Sequence, residues 1–183
     1  MMSLQGRFLV AAPHQLDPNF SEAVILVVQH ADRGALGVMV NRPRDRQEVI
    51  SRQRSTRPRW PAGPRLYFGG PVTGPRMAVH TDELFSEIEV LPGVFFAGRK
   101  KNVLALTRSR ERPCKLFTGY AGWGPGQLEH EVEHGIWRAT AATAAEIFSS
   151  GDNLWERLLR QAYGSLLAVM CNIKHIPSNA SLN

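Results

Sequence analysis

The sequence predicts an α+β fold: a single domain with a mainly antiparallel, bent or barrel-like β-sheet and flanking helices. Three observations carry that reading. Short runs rich in valine, isoleucine and phenylalanine, punctuated by glycine and proline, precede the longest helical patterns. Hairpins outnumber strand–helix–strand units. The chain has 183 residues, 43% of them hydrophobic and 21% charged, enough to bury one core without disulfide or metal staples.

Residues 7–12, apolar from Phe8 onward, read as the first strand, and 13–20, with two prolines, as a turn. The run from Ala23 to Gln29, apolar at every position through Val28, suits a strand covered on both faces. Ala31-Asp32-Arg33-Gly34 turns it back into a strand at 35–40, where Gly37 marks a bulge or a close backbone contact. Residues 45–54 have the pattern of a short polar helix. The three prolines at 58, 61 and 64 break any helix there, so 44–64 reads as a mobile insert rich in arginine and proline. Further strands are expected at 66–68, 77–80, 88–90, 95–97 and 115–120. A short helix falls at 102–107. A glycine-rich turn at 119–126 leads into a helix over 127–134, with Pro125 in its first turn and Gln127 folding back as a cap. Residues 136–139 read as extended, and 142–148 and 154–163 as helices. The last places Leu154, Trp155, Leu158, Leu159 and Ala162 on one face. The tail at 177–183 is polar and expected to fray.

Charge is concentrated. Eight arginines lie between Arg42 and Arg65 against two acidic residues, Asp45 and Glu48, so this segment carries the whole formal excess of +6. Arg52, Arg54, Arg57 and Arg59 are its candidate nucleic-acid contacts, with Trp60 available to stack on a base. Arginines among prolines and serines equally suit a solvated loop. No helix-turn-helix or RNA-binding signature accompanies them. Cys114 and Cys171 form no ligand cluster, which suits a reducing cytoplasm. No apolar run is long enough to cross a bilayer, and the N-terminal run is too short for a signal peptide. A cytoplasmic chain without membrane attachment is the expectation.

His130-Glu131-Val132-Glu133-His134 matches H-E-x-x-H, the pattern that places two imidazoles on one helix face around zinc with the glutamate as general base. A zinc-dependent hydrolase is therefore an alternative. Against it, Gly135 ends the helix, no third histidine follows, and Glu146 is the nearest downstream carboxylate. Gly119-Tyr120-Ala121-Gly122-Trp123-Gly124-Pro125-Gly126 lies where a phosphate loop would sit, but its spacing matches no phosphate-binding fingerprint and a rigid turn accounts for it. A valine at Gly126 is expected to impair folding by crowding the first helical turn. Cys114 reads as a structural thiol.

Three separated stretches together resemble the AlgH/YqgE family of bacterial proteins: Phe8–Pro13 continuing through Asp17-Pro18-Asn19-Phe20 to His30–Pro43, then Phe68-Gly69-Gly70-Pro71-Val72, then Gly119–Glu131 followed by Trp137. Order and spacing match from about residue 5 to about residue 163. The resemblance implies a compact α+β fold around a bent, barrel-like sheet. It also implies a largely uncharacterised family, some of whose members carry a proposed role as transcriptional regulators, without a recognised DNA-binding motif or an established enzyme activity. His130 and His134 fall at variable positions of the family's Gly-Gln-Leu-Glu-x-Glu helix. Two departures stand out. The region after Asn41-Arg42-Pro43 lacks the family's amphipathic, leucine-containing helix. The tail beyond Gly164 differs, with an apolar stretch from Leu166 to Ile173 that suits packing on the domain or a dimer contact.

The function expected is that of a non-enzymatic regulatory or binding protein, with no catalytic residue, metal or cofactor. Its ligand or protein partner is unspecified, its assembly is monomer or homodimer, and weak non-specific binding of nucleic acid is the alternative role of the arginine segment. Asn41, Gly69, Gly70, Trp123, Gln127 and Glu131 are the candidate ligand-binding residues, because amides orient polar ligands and glycines admit close backbone contact.

Overall fold

Apolar side chains on both faces of the central strands force a layered arrangement. A computed structural model describes residues 3–44, 65–109, 112–149 and 153–171, excepting the side chains of residues 163 and 165–171. Strands β1 (Arg7–Ala11), β2 (Val24–Ala31), β3 (Gly34–Met39), β9 (Ala121–Trp123) and β10 (Trp137–Ala141) form one sheet, in the order β10-β1-β2-β3-β9. Strands β4 (Leu66–Phe68), β5 (Met77–His80), β6 (Ile88–Leu91), β7 (Val94–Ala97) and β8 (Cys114–Thr118) form the other, in the order β4-β8-β5-β7-β6. Every pairing is antiparallel except β4 with β8. The expected α+β class holds, with two mostly antiparallel sheets that do not close into a barrel.

The alternating residues of β2 show why its sequence is apolar throughout. Val24, Leu26 and Val28 join the core between the sheets, with Phe8, Val10, Val79, Phe96 and Phe117. Ile25 and Val27 face the other way, into a cluster with Leu9, Met39, Trp123 and Trp137 that is roofed by Leu128 of helix α2 (Gln127–Glu133). Each fully buried side chain of this size contributes about 1.5–3 kcal/mol. Helix α1 (Lys100–Arg108) covers the outer face of the second sheet, setting Val103 and Leu106 against Ala78, Ala97 and Leu116. Helices α3 (Ala144–Phe148) and α4 (Leu154–Cys171) supply Ile147, Leu154 and Leu158 to the inter-sheet core.

Gly37 is the close contact its sequence position suggested. It sits opposite Val27, where the register of β2 shifts, and a Cβ there would lie 2.5 Å from Ile25 Cγ2. The structure departs from the sequence expectations at three elements. Residues 121–123 form a strand instead of a turn, because Ala121, Gly122 and Trp123 pair with Gly37, Leu36 and Ala35. The last helix runs to Cys171, past 163, and so takes in Leu166 to Cys171. Helix α2 begins at Gln127 with Gly126 as its N-cap, so Pro125 precedes the cap and is outside the first turn. The readings of a helix at 45–54, a mobile insert up to residue 64 and a frayed tail at 177–183 fall outside the described residues.

Candidate functional site

The two glycine-rich motifs meet each other. Gly69 N–H donates to Thr118 O at 2.9 Å, while Val72 and Tyr120 exchange backbone hydrogen bonds at 3.0 Å. A Cβ on Gly119, whose φ is +72°, would collide with Gly70 O; one on Gly69 would collide with Gly119 O. Glycine is needed here because two backbones cross in contact, joining the end of β4 to the step from β8 into β9. Met39 N–H donates to Gly69 O at 2.9 Å and ties β3 to the same crossing.

Trp123, Gln127 and Glu131 form a second cluster. Glu131 Oε2 accepts from Trp123 Nε1 at 2.8 Å and from Trp137 Nε1 at 2.7 Å. Its Oε1 accepts from Gln127 Nε2 at 2.8 Å, and Gln127 Oε1 accepts from Gly124 N–H at 3.0 Å. The i, i+4 spacing of Gln127 and Glu131 on α2 sets the two side chains side by side. The two indoles meet edge to face at 6.2 Å, and Phe20 packs on Trp137 in the same manner at 5.5 Å. Asn41 lies apart from this cluster. Its Oδ1 accepts from Val24 N–H and its Nδ2 donates to Glu22 O, bracing the entry to β2. The six candidates therefore divide among a backbone crossing, an indole–carboxylate cluster and a loop brace. None lines the depression of about 500 Å³ bordered by Ser149, Asn153, Leu154, Arg157 and Arg160.

The H-E-x-x-H residues are spent in ways unsuited to zinc. His130 and His134 are exposed and stack on each other, ring centres 3.9 Å apart, and His134 Nδ1 donates to His130 O at 2.8 Å. Glu131 turns to the indoles. Glu146 accepts from Thr143 Oγ1 and from Arg157 Nη1 in the cap of α3. Among the described residues no group of three metal-binding side chains comes together.

The arginine segment leaves and returns at one place. Phe68 N–H donates to Arg42 O at 2.9 Å, Arg44 N–H donates to Leu66 O at 2.8 Å, and Pro43 bridges Tyr67. The Arg42 guanidinium is engaged by Asn19 O and Ser21 O. Arg44 lies over the Phe68 ring at 5.2 Å. Arg65 is exposed. Arg52, Arg54, Arg57 and Arg59 lie outside the described residues.

A family model described as AlgH-like matches residues 8–167. The chain belongs to the AlgH-like family. It is 31% identical to a UPF0301 protein of Chlorobaculum tepidum over 188 residues, covering 97% of this chain and 95% of that one. It is 36% identical to a UPF0301 protein of Thiobacillus denitrificans over 153 residues, covering 80% and 83% respectively. The solution structure of the AlgH protein from Pseudomonas aeruginosa is similar at a TM-score of 0.71 and 27% identity, covering 100% of this chain and 99% of that one.

Within this AlgH-like chain, two buried titratable groups escaped the sequence reading. Lys115 Nζ donates to Val40 O and Ser149 O, both at 3.0 Å, and sits 4.3 Å from the centre of the Tyr67 ring. Burial, with the nearby Arg65 charge, lowers its pKa to about 8. The alternation of β8 marks it, since Lys115 stands at an inward position between the outward-facing Cys114 and Leu116. His80 is fully buried; its Nδ1 accepts from Asp82 N–H at 3.3 Å and its Nε2 has no partner among the described residues. Burial pushes its pKa below the ordinary histidine value, although Asp82 and Glu87 pull the other way. Cys114, opposite His80 in the sheet, is pushed up to about 12 by burial, so it is a protonated structural thiol. No helix among the described residues is long and apolar enough to cross a membrane.

Proposed function

We propose that this AlgH-like chain is a non-enzymatic regulatory or binding protein of the cytoplasm. The observation that carries the reading is the use of Glu131. The carboxylate with the best motif-based claim to catalysis accepts hydrogen bonds from two indoles and an amide, leaving it no role as a general base. Metal analysis of purified protein tests this against a metallohydrolase. Wild type and His130→Ala/His134→Ala are expected to carry equal, substoichiometric zinc. Stoichiometric zinc lost in the double variant overturns the reading.

A second reading concerns the partner. The backbone ladder at residues 42–44 and 66–68 brings the two ends of the arginine segment together beside β4, an edge strand of the second sheet, and the sequence from Arg42 to Arg65 carries the chain's whole formal excess of positive charge. This supports association with polyanions through phosphates, without sequence preference. Dissociation constants of about 10⁻⁴ to 10⁻⁶ M at physiological salt are typical of such contacts. A salt titration with a mixed-sequence duplex tests it: replacing Arg52, Arg54, Arg57 and Arg59 by glutamine removes most of the binding. Sequence-selective binding that survives high salt refutes the non-specific reading.

A further inference from the structure

Helix α1 presents a second cationic face. At 3.6 residues per turn, Lys100, Leu104, Arg108 and Lys101 fall within an arc of about 100°. All four are exposed, on the side away from the buried Val103 and Leu106. The helix contains no aspartate or glutamate, and its three cations enter no ion pair among the described residues. Helix stability does not favour this placement, since two lysines in the first turn oppose the helix dipole. A carboxylate from outside the helix compensates: Glu87 accepts from Gly98 N–H, Arg99 N–H and Asn102 Nδ2. With the helix start satisfied from the sheet side, the lysines stay directed to solvent. Leu66, which follows Arg65, packs in the same cluster as Val103 and Leu106. The return of the arginine segment therefore borders the layer to which α1 belongs.

We infer that the Lys100–Lys101–Arg108 face of α1 is a docking surface for the phosphate backbone of double-stranded nucleic acid. The inference rests on the polyanion reading above and adds a contact on a separate element. Lys100 and Arg108 lie about 12 Å apart along the helix axis. A duplex presents about seven charges over that length. The face carries no aromatic residue to stack on bases, so the contact is to phosphates and independent of sequence. Leu104 is its one apolar member, 42% exposed. That is too little for a helix lying in a lipid interface, which needs a broad apolar face.

The test is fluorescence anisotropy of a labelled mixed-sequence duplex between 50 and 200 mM salt, using the full chain. Wild type is compared with Lys100→Gln/Lys101→Gln/Arg108→Gln, with the four-arginine glutamine variant, and with both sets combined. Thermal melts establish that each variant is folded. The α1 variant is expected to bind about tenfold or more weakly at 100 mM salt, and its log K against log salt slope should fall by about 2.7, from three lost phosphate contacts. An unchanged slope in the α1 variant, with binding lost in the arginine variant, overturns this inference and leaves the polyanion reading standing. Absence of duplex binding by wild type overturns both. Binding to phosphatidylserine vesicles that depends on α1, without duplex binding, overturns the choice of nucleic acid.

Discussion

Removing the Glu131 carboxylate should cost more stability than any other single change on the surface of α2. In Glu131→Ala, Trp123 and Trp137 both lose their acceptor, and these residues are 7% and 1% exposed. A buried donor left unpaired costs about 1–3 kcal/mol, so the pair amounts to about 2–6 kcal/mol. That is a large share of the roughly 5–15 kcal/mol of a typical domain. For a chain of this length each kcal/mol lowers Tm by about 2–4 °C. Glu131→Gln separates the hydrogen bonds from the charge. Its amide oxygen can serve both indoles, while its amide nitrogen opposes Gln127 Nε2, so one bond is lost at about 1 kcal/mol. Urea unfolding followed by tryptophan fluorescence reads both variants, because the indoles report on the site itself. An alanine variant within about 0.5 kcal/mol of wild type would refute the reasoning. It would mean that the carboxylate is not needed by the fold and is held for a ligand.

Three further outcomes are expected. His80 has a lowered pKa in the folded chain, so the unfolded chain binds the proton more readily. Stability should be complete above the ordinary histidine value and fall as pH drops below it, by at most about 1.4 kcal/mol per pH unit. Urea midpoints across pH 4.5–8 should show this slope in wild type and lose it in His80→Leu. Lys115 titrates at about 8 when folded and near 10.5 when unfolded, so its contribution should make stability rise with pH across that interval. Lys115→Met should flatten the rise, measured by the same unfolding series. At Gly126 the φ of +72° is the constraint and a Cβ would meet nothing within 4 Å, which corrects the expectation of crowding. Gly126→Ala should cost about 1–2 kcal/mol and Gly126→Asn less, since asparagine tolerates the left-handed region. Equal losses in melts of the two variants would show that backbone conformation is not the cause.

The strands were legible where local pattern and tertiary role coincide. Val24–Val28 is apolar at every position because it serves two clusters, and the sequence carries that without ambiguity. Residues 121–123 were not legible as a strand, because Gly122 lies within them and Gly124 beside them, and the pairing that makes them a strand is with β3, more than 80 residues earlier. The sequence marks Glu131 as a candidate ligand contact, but its partners within the fold could not be read from spacing. Trp123 and Trp137 come from two different strands, and only the packing of α2 across the first sheet brings both indole N–H groups to one oxygen.

The same packing decides what a motif match is worth. H-E-x-x-H fixes only that two histidines share a helix face; it does not fix which way the intervening glutamate points. On α2 the histidines lie on the solvent side while Glu131 belongs to the side that meets the sheet. The glycine motifs likewise answer to each other, through the crossing of Gly69–Gly70 with Gly119–Tyr120. Residues consumed in this way specify the AlgH-like fold and leave little chemistry over. The exposed cations of α1 are not consumed in this way, since they enter no ion pair among the described residues. Neutralising Lys100, Lys101 and Arg108 should accordingly change binding without changing the melt, whereas neutralising Glu131 should change the melt.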